Sequence, residues 1–204
     1  MFYQPQDGHG LPHDPFTSLV APRPIGWISS VSADGLVNLA PYSFFNAVCG
    51  HPPMVGFASE GLKDTARNII ETGEFVVNVA TSALAEAMNL SSARLQHGED
   101  EFAFAGLERA DSRTVRPPRV AAAPAALECK LVSVTEISTM DGLATGNRFV
   151  IGQVTGIYIN DECLVDGLFD IVQAGVVARL GYRNYARVTD IFAMIRPDDR
   201  NLGR

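Results

Sequence analysis

Three short segments carry side chains whose types and spacing suit the binding of a phosphorylated aromatic ligand. The first reads Lys63-Asp64-Thr65-Ala66-Arg67-Asn68. The first amides of a helix lack intrahelical partners and its dipole favours negative charge, so a cation beside a helix start makes an anion site. Lys63 would supply a point charge there and Thr65 a hydroxyl. The same pattern also reads as a capped surface helix in which Asp64 is only the N-cap. An acid at that place obliges an anion to approach from the Lys63 and Thr65 side. The second segment is Asn38 to Asn46, where Tyr42, Phe44 and Phe45 crowd around Ser43. Such crowding does not suit a strand that must alternate faces. It suits a flat aromatic ligand held by stacking and backbone hydrogen bonds, and equally a buried aromatic cluster at a dimer interface; the two are compatible. The third segment is Arg23 to Ser32, with Arg23 between Pro22 and Pro24, followed by Trp27, Ser29 and Ser30. Strand hydroxyls and amides can hold a phosphate or a ribityl chain, although taken alone this is an ordinary strand with serines on its solvent face.

Other chemistries find no support. There is no GxGxxG after a strand and no GxxxxGK[ST], so neither a dinucleotide fold nor a phosphate loop is indicated. HExxH and GxSxG are also missing. His9 and His13 stand four apart, but the prolines and glycines around them oppose a helix, which favours a surface arm over a metal site. Cys49, Cys129 and Cys163 are far apart with no CxxC pair, and read as buried, reduced thiols. A net charge of -7 argues against a nucleic-acid partner, which would demand a basic face. No apolar run approaches the roughly 18 residues that span a membrane, and Met1 to Pro15 has no apolar signal core, so a cytoplasmic location is expected.

The elements that must position these residues are mostly strands. With 204 residues, 47% of them hydrophobic and 19% charged, the chain suits one domain with a real core. Ile25 to Val31 reads as a strand, Ser32-Ala33-Asp34-Gly35 as a hairpin turn and Leu36 to Ala40 as the return. Pro41 to Asn46 fits neither period. Met54 to Ala58 is a short strand. A helix with Asp64 as N-cap follows, with an apolar side of Ala66, Ile69 and Ile70, ending at Gly73. Phe75 to Val79 is a strand and Leu84 to Asn89 a second helix. Residues 91–123 have the weakest periodicity and read as a long surface excursion with at most a short helix, of the kind that usually carries function or faces a partner. Ala126 to Ile137 and Arg148 to Ile159 are the longest strands, joined by a Gly-rich loop over 139–147. Cys163 to Val165 reads as an edge strand, Val172 to Val177 as a helical turn, and 198–204 as a polar tail. Short antiparallel strands without βαβ alternation favour a barrel. The expected organisation is an extended arm over 1–14, a barrel domain over 15–190 and a tail over 191–204.

In this order, the segments resemble the flavin reductase-like FMN-binding split-barrel family, near its flavoredoxin group. The resemblance rests on Arg23-Pro24-Ile25-Gly26-Trp27-Ile28-Ser29-Ser30-Val31, Asp34-Gly35, Asn38-Leu39-Ala40-Pro41-Tyr42-Ser43-Phe44-Phe45-Asn46 and Lys63-Asp64-Thr65. It continues through Asn68-Ile69, Glu74-Phe75-Val76-Val77-Asn78, Pro117-Pro118-Arg119-Val120, Leu127-Glu128-Cys129 and Ala178-Arg179-Leu180-Gly181, and covers about Pro15 to Val188. It implies a mainly β fold, a Greek-key split β-barrel with a few short helices, working as a homodimer with FMN near the subunit interface. Carried over by position, Ser29, Ser30, Asn46, Lys63 and Thr65 are expected at the phosphate and ribityl chain. Asn38, Ala40, Pro41, Ser43 and Phe44 are expected along the isoalloxazine, with Arg23 and Trp27 as secondary candidates. The chemistry would be the cofactor's, with no side chain required as a catalytic acid or base. The implied activity is NAD(P)H-dependent flavin reduction, or, alternatively, electron transfer to a redox partner protein without a nicotinamide site. Family members often read Gly-Gly before a Tyr near the end of the domain; here the run is Gly181-Tyr182-Arg183-Asn184-Tyr185, with the second Gly replaced on the substrate side.

Overall fold

The computed structural model describes residues 1–195. The chain begins with an exposed arm that holds a short helix α1 (Phe16–Leu19). It then enters β1 (Gly26–Val31), β2 (Val37–Tyr42), β3 (Phe45–Gly50) and β4 (Pro53–Glu60). Helix α2 (Asp64–Thr72) and β5 (Glu74–Val79) follow, then α3 (Ala85–Leu90) and α4 (Glu101–Phe104). Two short strands, β6 (Arg109–Ala110) and β7 (Arg119–Val120), pair within the excursion. The longest hairpin is β8 (Ala125–Ser138) with β9 (Ala144–Ile159). Two small hairpins close the described chain: β10 (Leu164–Val165) with β11 (Leu168–Phe169), and β12 (Val177–Arg179) with β13 (Tyr185–Arg187).

Seven strands form one antiparallel sheet in the order β2-β1-β5-β8-β9-β4-β3. Its two outer strands, β2 and β3, are consecutive in the chain and joined through Ser43 and Phe44, so the sheet curls back on itself. This is the split barrel. The inner face follows period-2 alternation. Ile28, Val55, Phe57, Phe75, Val77, Val150 and Val154 point into one apolar core, and Ile69 of α2 packs against it. The outer face of β1 and β2 carries a second core, in which Trp27 and Leu39 meet Met88 of α3, Phe102 of α4 and Val120 of β7. Because both faces of β1 are covered, every residue of that strand is buried. The excursion over 91–123 is therefore a lid on the second core rather than a loose loop.

Several expectations are corrected. The stretch around Pro41 to Asn46 hides a strand boundary. Tyr42 ends β2 and Phe45 starts β3, both packing towards the barrel core, while Phe44 at the bend turns outward. Two strands with opposed pleats meet there, which is why neither period fits. Asp64 is the first helical residue of α2, not its cap. Lys63 holds the N-cap position with extended backbone and makes no side-chain cap bond. The Gly-rich loop shrinks to a turn because β9 begins at Ala144. Val177 belongs to a strand instead of a helical turn. Cys129 and Cys163 are buried and free, but Cys49 on β3 is exposed. The predicted polar tail over 198–204 lies outside the described residues.

Candidate functional site

A cleft of about 880 Å³ opens where the edge strand β2 faces the start of α2. Its size falls within the roughly 300–1,000 Å³ of small-molecule sites. Asn38, Ala40 and Pro41 of β2 form one wall and continue into Ser43 and Phe44 at the bend. Lys63, Asp64 and Thr65 form the head of the cleft. The segment from Ser91 to Glu101 forms the opposite wall with Ser92, Arg94 and His97. Ile137 and Asn147, from the tip of the long hairpin, complete it.

The edge of β2 presents backbone to the cleft. Leu39 donates its N–H to Glu101 Oε2 at 3.1 Å, so this amide points away from β1. By strand alternation the backbone groups of Pro41 point the same way, and proline offers only a carbonyl. A planar ligand lying along this edge would meet carbonyl acceptors and small side chains. At the head of the cleft, the uncapped first turn of α2 leaves its amides without side-chain partners. Thr65 Oγ1 accepts a hydrogen bond from Asn38 Nδ2 at 2.7 Å, which ties α2 to β2. Burial raises the pKa of Tyr42, beside Thr65, so its phenol stays protonated and adds no charge.

The cleft lining holds three acids, Glu60, Asp64 and Glu101, of which Asp64 stands at the head. The Asp64 carboxylate is turned to Arg67 at 2.8 Å and to His97 Nδ1 at 2.9 Å, which occupies its charge within the protein. Among the described residues Lys63 pairs only with Glu60, at 3.8 Å and exposed. Arg94 makes no ion pair among the described residues. Lys63 and a row of helix amides thus stand at the head of the cleft and Arg94 on its opposite wall, with a flat backbone edge along its length. This donor set fits a phosphorylated ligand with a planar ring.

Seven predicted residues are brought together here: Asn38, Ala40, Pro41, Ser43, Phe44, Lys63 and Thr65. Five are not. Trp27 is fully buried in the second core and donates to Ser91 Oγ at 2.9 Å. Ser29, also fully buried, donates to the carbonyl of Pro118 at 2.5 Å. Ser30 accepts from Asn68 Nδ2 at 3.2 Å under α2. These three side chains leave the cleft because β1 is an interior strand covered on both faces. Asn46 is exposed on β3, and its Oδ1 accepts from the amide of Ala47 at 2.8 Å. Arg23 is 8% exposed, and its guanidinium clamps the carbonyls of Thr17, Val20 and Leu180. Arg23 and Asn46 line a neighbouring hollow that shares the wall of Ser43 and Phe44.

Sequence reasoning missed the whole far wall. Ser92, Arg94, His97 and Glu101 come from the excursion, whose irregular composition hid them. One local signal was available: Asp100 caps α4 by accepting from the amides of Phe102 and Ala103 at 3.0 and 3.3 Å. A capped turn carrying Phe102 into the core fixes Glu101 beside β2.

The barrel and the cleft at its split edge define a class of small-ligand-binding split-barrel proteins. Residues 19–172 match the model of the flavin reductase like domain, and the chain belongs to that family. A relative, the uncharacterized protein BH2278 of Halalkalibacterium halodurans, is 37% identical over 183 residues, 87% of each chain. Among solved structures, the chain is similar to nitrilotriacetate monooxygenase component B from Bacillus cereus, with 29% identity, a TM-score of 0.87, and 95% and 98% of the two chains covered. It is also similar to the 2-nitrobenzoate 2-nitroreductase NbaA of Pseudomonas fluorescens, with 33% identity, a TM-score of 0.79, and 89% and 88% covered.

Proposed function

We propose that the protein binds FMN in this cleft and is an oxidoreductase that takes electrons from NAD(P)H, acting as a homodimer. The observation that carries the reading is that Lys63, Thr65 and the first-turn amides of α2 line one cleft together with Arg94 of the opposite wall and the edge of β2. Family membership and the likeness to a nitroreductase and a monooxygenase component support flavin-dependent redox chemistry. Lys63 and Arg94 would neutralise the phosphate, while Thr65, held by Asn38, would orient the ribityl chain. Pro41 and Ser43 would lie against the ring, and Phe44 would cover its outer edge. FMN supplies hydride acceptance and the release of electrons singly or in pairs. The chain's own part is to bind and orient it and to set its potential. A second reading, electron delivery to a protein partner, draws on Phe44, which is 51% exposed at the cleft mouth and leaves an apolar rim for docking.

An absorbance spectrum of the FMN-loaded protein under anaerobic conditions tests both. Bleaching on addition of NADH or NADPH is expected for the reductase. Bands that persist with both nicotinamides but bleach with dithionite would transfer the weight to the electron carrier. Protein that takes up no FMN would end both readings.

A further inference from the structure

Beside the cleft lies a second concavity of about 670 Å³ that shares Pro41, Ser43 and Ser92 with it. Its floor is Ile25 and Met88, and its far side is lined by Arg179, Arg183 and Tyr185. In a chain of net charge -7, two arginines facing one hollow without an acid are out of character. Neither makes an ion pair among the described residues. No carboxylate among the described residues lines the hollow. Arg179 is oriented from within the protein: it donates to the carbonyl of Tyr182 and lies 4.6 Å from the centre of the Tyr185 ring. Its backbone pairs with that of Arg23 through two hydrogen bonds of 2.9 Å, which brings a third guanidinium into the same neighbourhood. Burial, and the charge of Arg179 beside it, lower the pKa of Arg23.

The turn between β12 and β13 is built to hold this arrangement. Asn184 donates its amide to Gly181 and accepts from Leu180, which closes the turn over four residues. Tyr182 in its middle has φ of 56°, in the left-handed region. Only glycine adopts that region without a penalty, which for other residues is about 1 kcal/mol or more. The conformation is therefore kept although the side chain opposes it, as happens where a loop's shape serves a site. The adjacent Gly181 cannot change either, since a Cβ there would run into the side chain and Cα of Ser18 in the arm. The backbone that aims Arg183 is thus fixed from both sides.

We propose that this arginine hollow binds an oxyanion, a phosphate or a carboxylate, of the reactant that exchanges electrons with the ligand of the main cleft. Planar guanidinium groups recognise such groups through paired hydrogen bonds. The shared wall of Pro41 and Ser43 would set the other end of that reactant against the ligand. The proposal rests on the flavin reading and assigns its second reactant. Two sources share the chemistry: the phosphates of a nicotinamide nucleotide, and the carboxylate of an aromatic acceptor.

Arg183 is exposed and outside both cores, so Arg183→Gln should fold as the parent does. FMN uptake is measured first, by absorbance. Calorimetric titrations of NADP+, NAD+ and benzoate then follow for parent and variant, in FMN-loaded and flavin-free protein. The expected result is a roughly tenfold weaker Kd for the oxyanion ligand in the variant, with an unchanged Kd for FMN. Weaker binding of the nucleotides identifies phosphate as the source, and weaker binding of benzoate alone identifies carboxylate. Equal Kd values in parent and variant, or no binding of any of the three to flavin-loaded parent, overturn the proposal while leaving FMN binding intact. A parent that takes up no FMN overturns the flavin reading instead, and this proposal with it.

Discussion

Glu101 sits where a carboxylate is costly. It is 8% exposed, and the amide of Leu39 on the edge of β2 depends on it as an acceptor. Burial raises its pKa, Asp64 and Asp100 add to the rise, and the amides of Leu39 and Glu101 itself oppose it. A carboxyl with a higher pKa in the folded chain holds its proton more tightly there than in the unfolded chain. Its favourable contribution is then fully present below the unfolded value of about 4.3 and is lost as pH climbs through the folded value. Glu101→Gln keeps an oxygen for the Leu39 amide and removes the charge. Urea midpoints measured from pH 4 to pH 8 should show the variant gaining on the parent as pH rises. Parallel pH profiles would show that this carboxylate is not held out of water. Cys129, by contrast, is pushed up to about 12 by burial and stays a thiol throughout that range.

At the scale of elements, the start of α2 is the part of the site most exposed to experiment. Lys63 at the N-cap stabilises the helix less well than Ser or Asp would, since it accepts nothing from the first-turn amides. A position that gives up a cap while facing a cleft is what a bound anion at the helix start would explain. Lys63→Gln should weaken FMN binding about five- to tenfold at low salt, and less at high salt, because an exposed charge is screened. Fluorescence titration of FMN at two ionic strengths checks this, and an unchanged Kd at low salt would remove Lys63 from the phosphate end. Lys63→Asp, which caps the helix but reverses the charge, should raise thermal stability without ligand and bind FMN worse still.

At the scale of the whole molecule, β3 leaves one edge of the sheet to be covered. β3 closes the sheet order and has one side unpaired among the described residues, with Ala47, Val48 and Cys49 exposed. Natural edge strands are usually charged, bulged or covered, and β3 has a register shift between Ala47 and Cys49, at Val48. Here Val48 is 45% exposed, and Val132 and Ile157 on the long hairpin are 51% and 60% exposed. We expect a second copy of the chain to cover this edge. Val48→Lys should shift the sedimenting species from twice 21.9 kDa to 21.9 kDa at micromolar concentration. A parent that already sediments as a monomer would exclude the homodimer.

The strands, the hairpin turn at Asp34-Gly35 and the helix ending at Gly73 follow from local rules, because alternation, turn chemistry and glycine's freedom act within a few residues. The cation and hydroxyl of Lys63 and Thr65, and the small residues of β2, were legible for the same reason. Their types declare what they can bind before any neighbour is known. Which of them meet was decided only by tertiary structure. Ser29 and Ser30 are as suitable by type as Thr65, and all three are buried and hydrogen-bonded, but Thr65 lines the cleft whereas β1 lies inside the sheet with both faces covered. Arg94 and Glu101 belong to a segment without period, and they reach β2 only because Phe102 and Met88 dock on the outer core. Hydrophobic burial places residues far apart in sequence side by side without leaving a mark in either segment alone, and the far wall of this cleft is made that way.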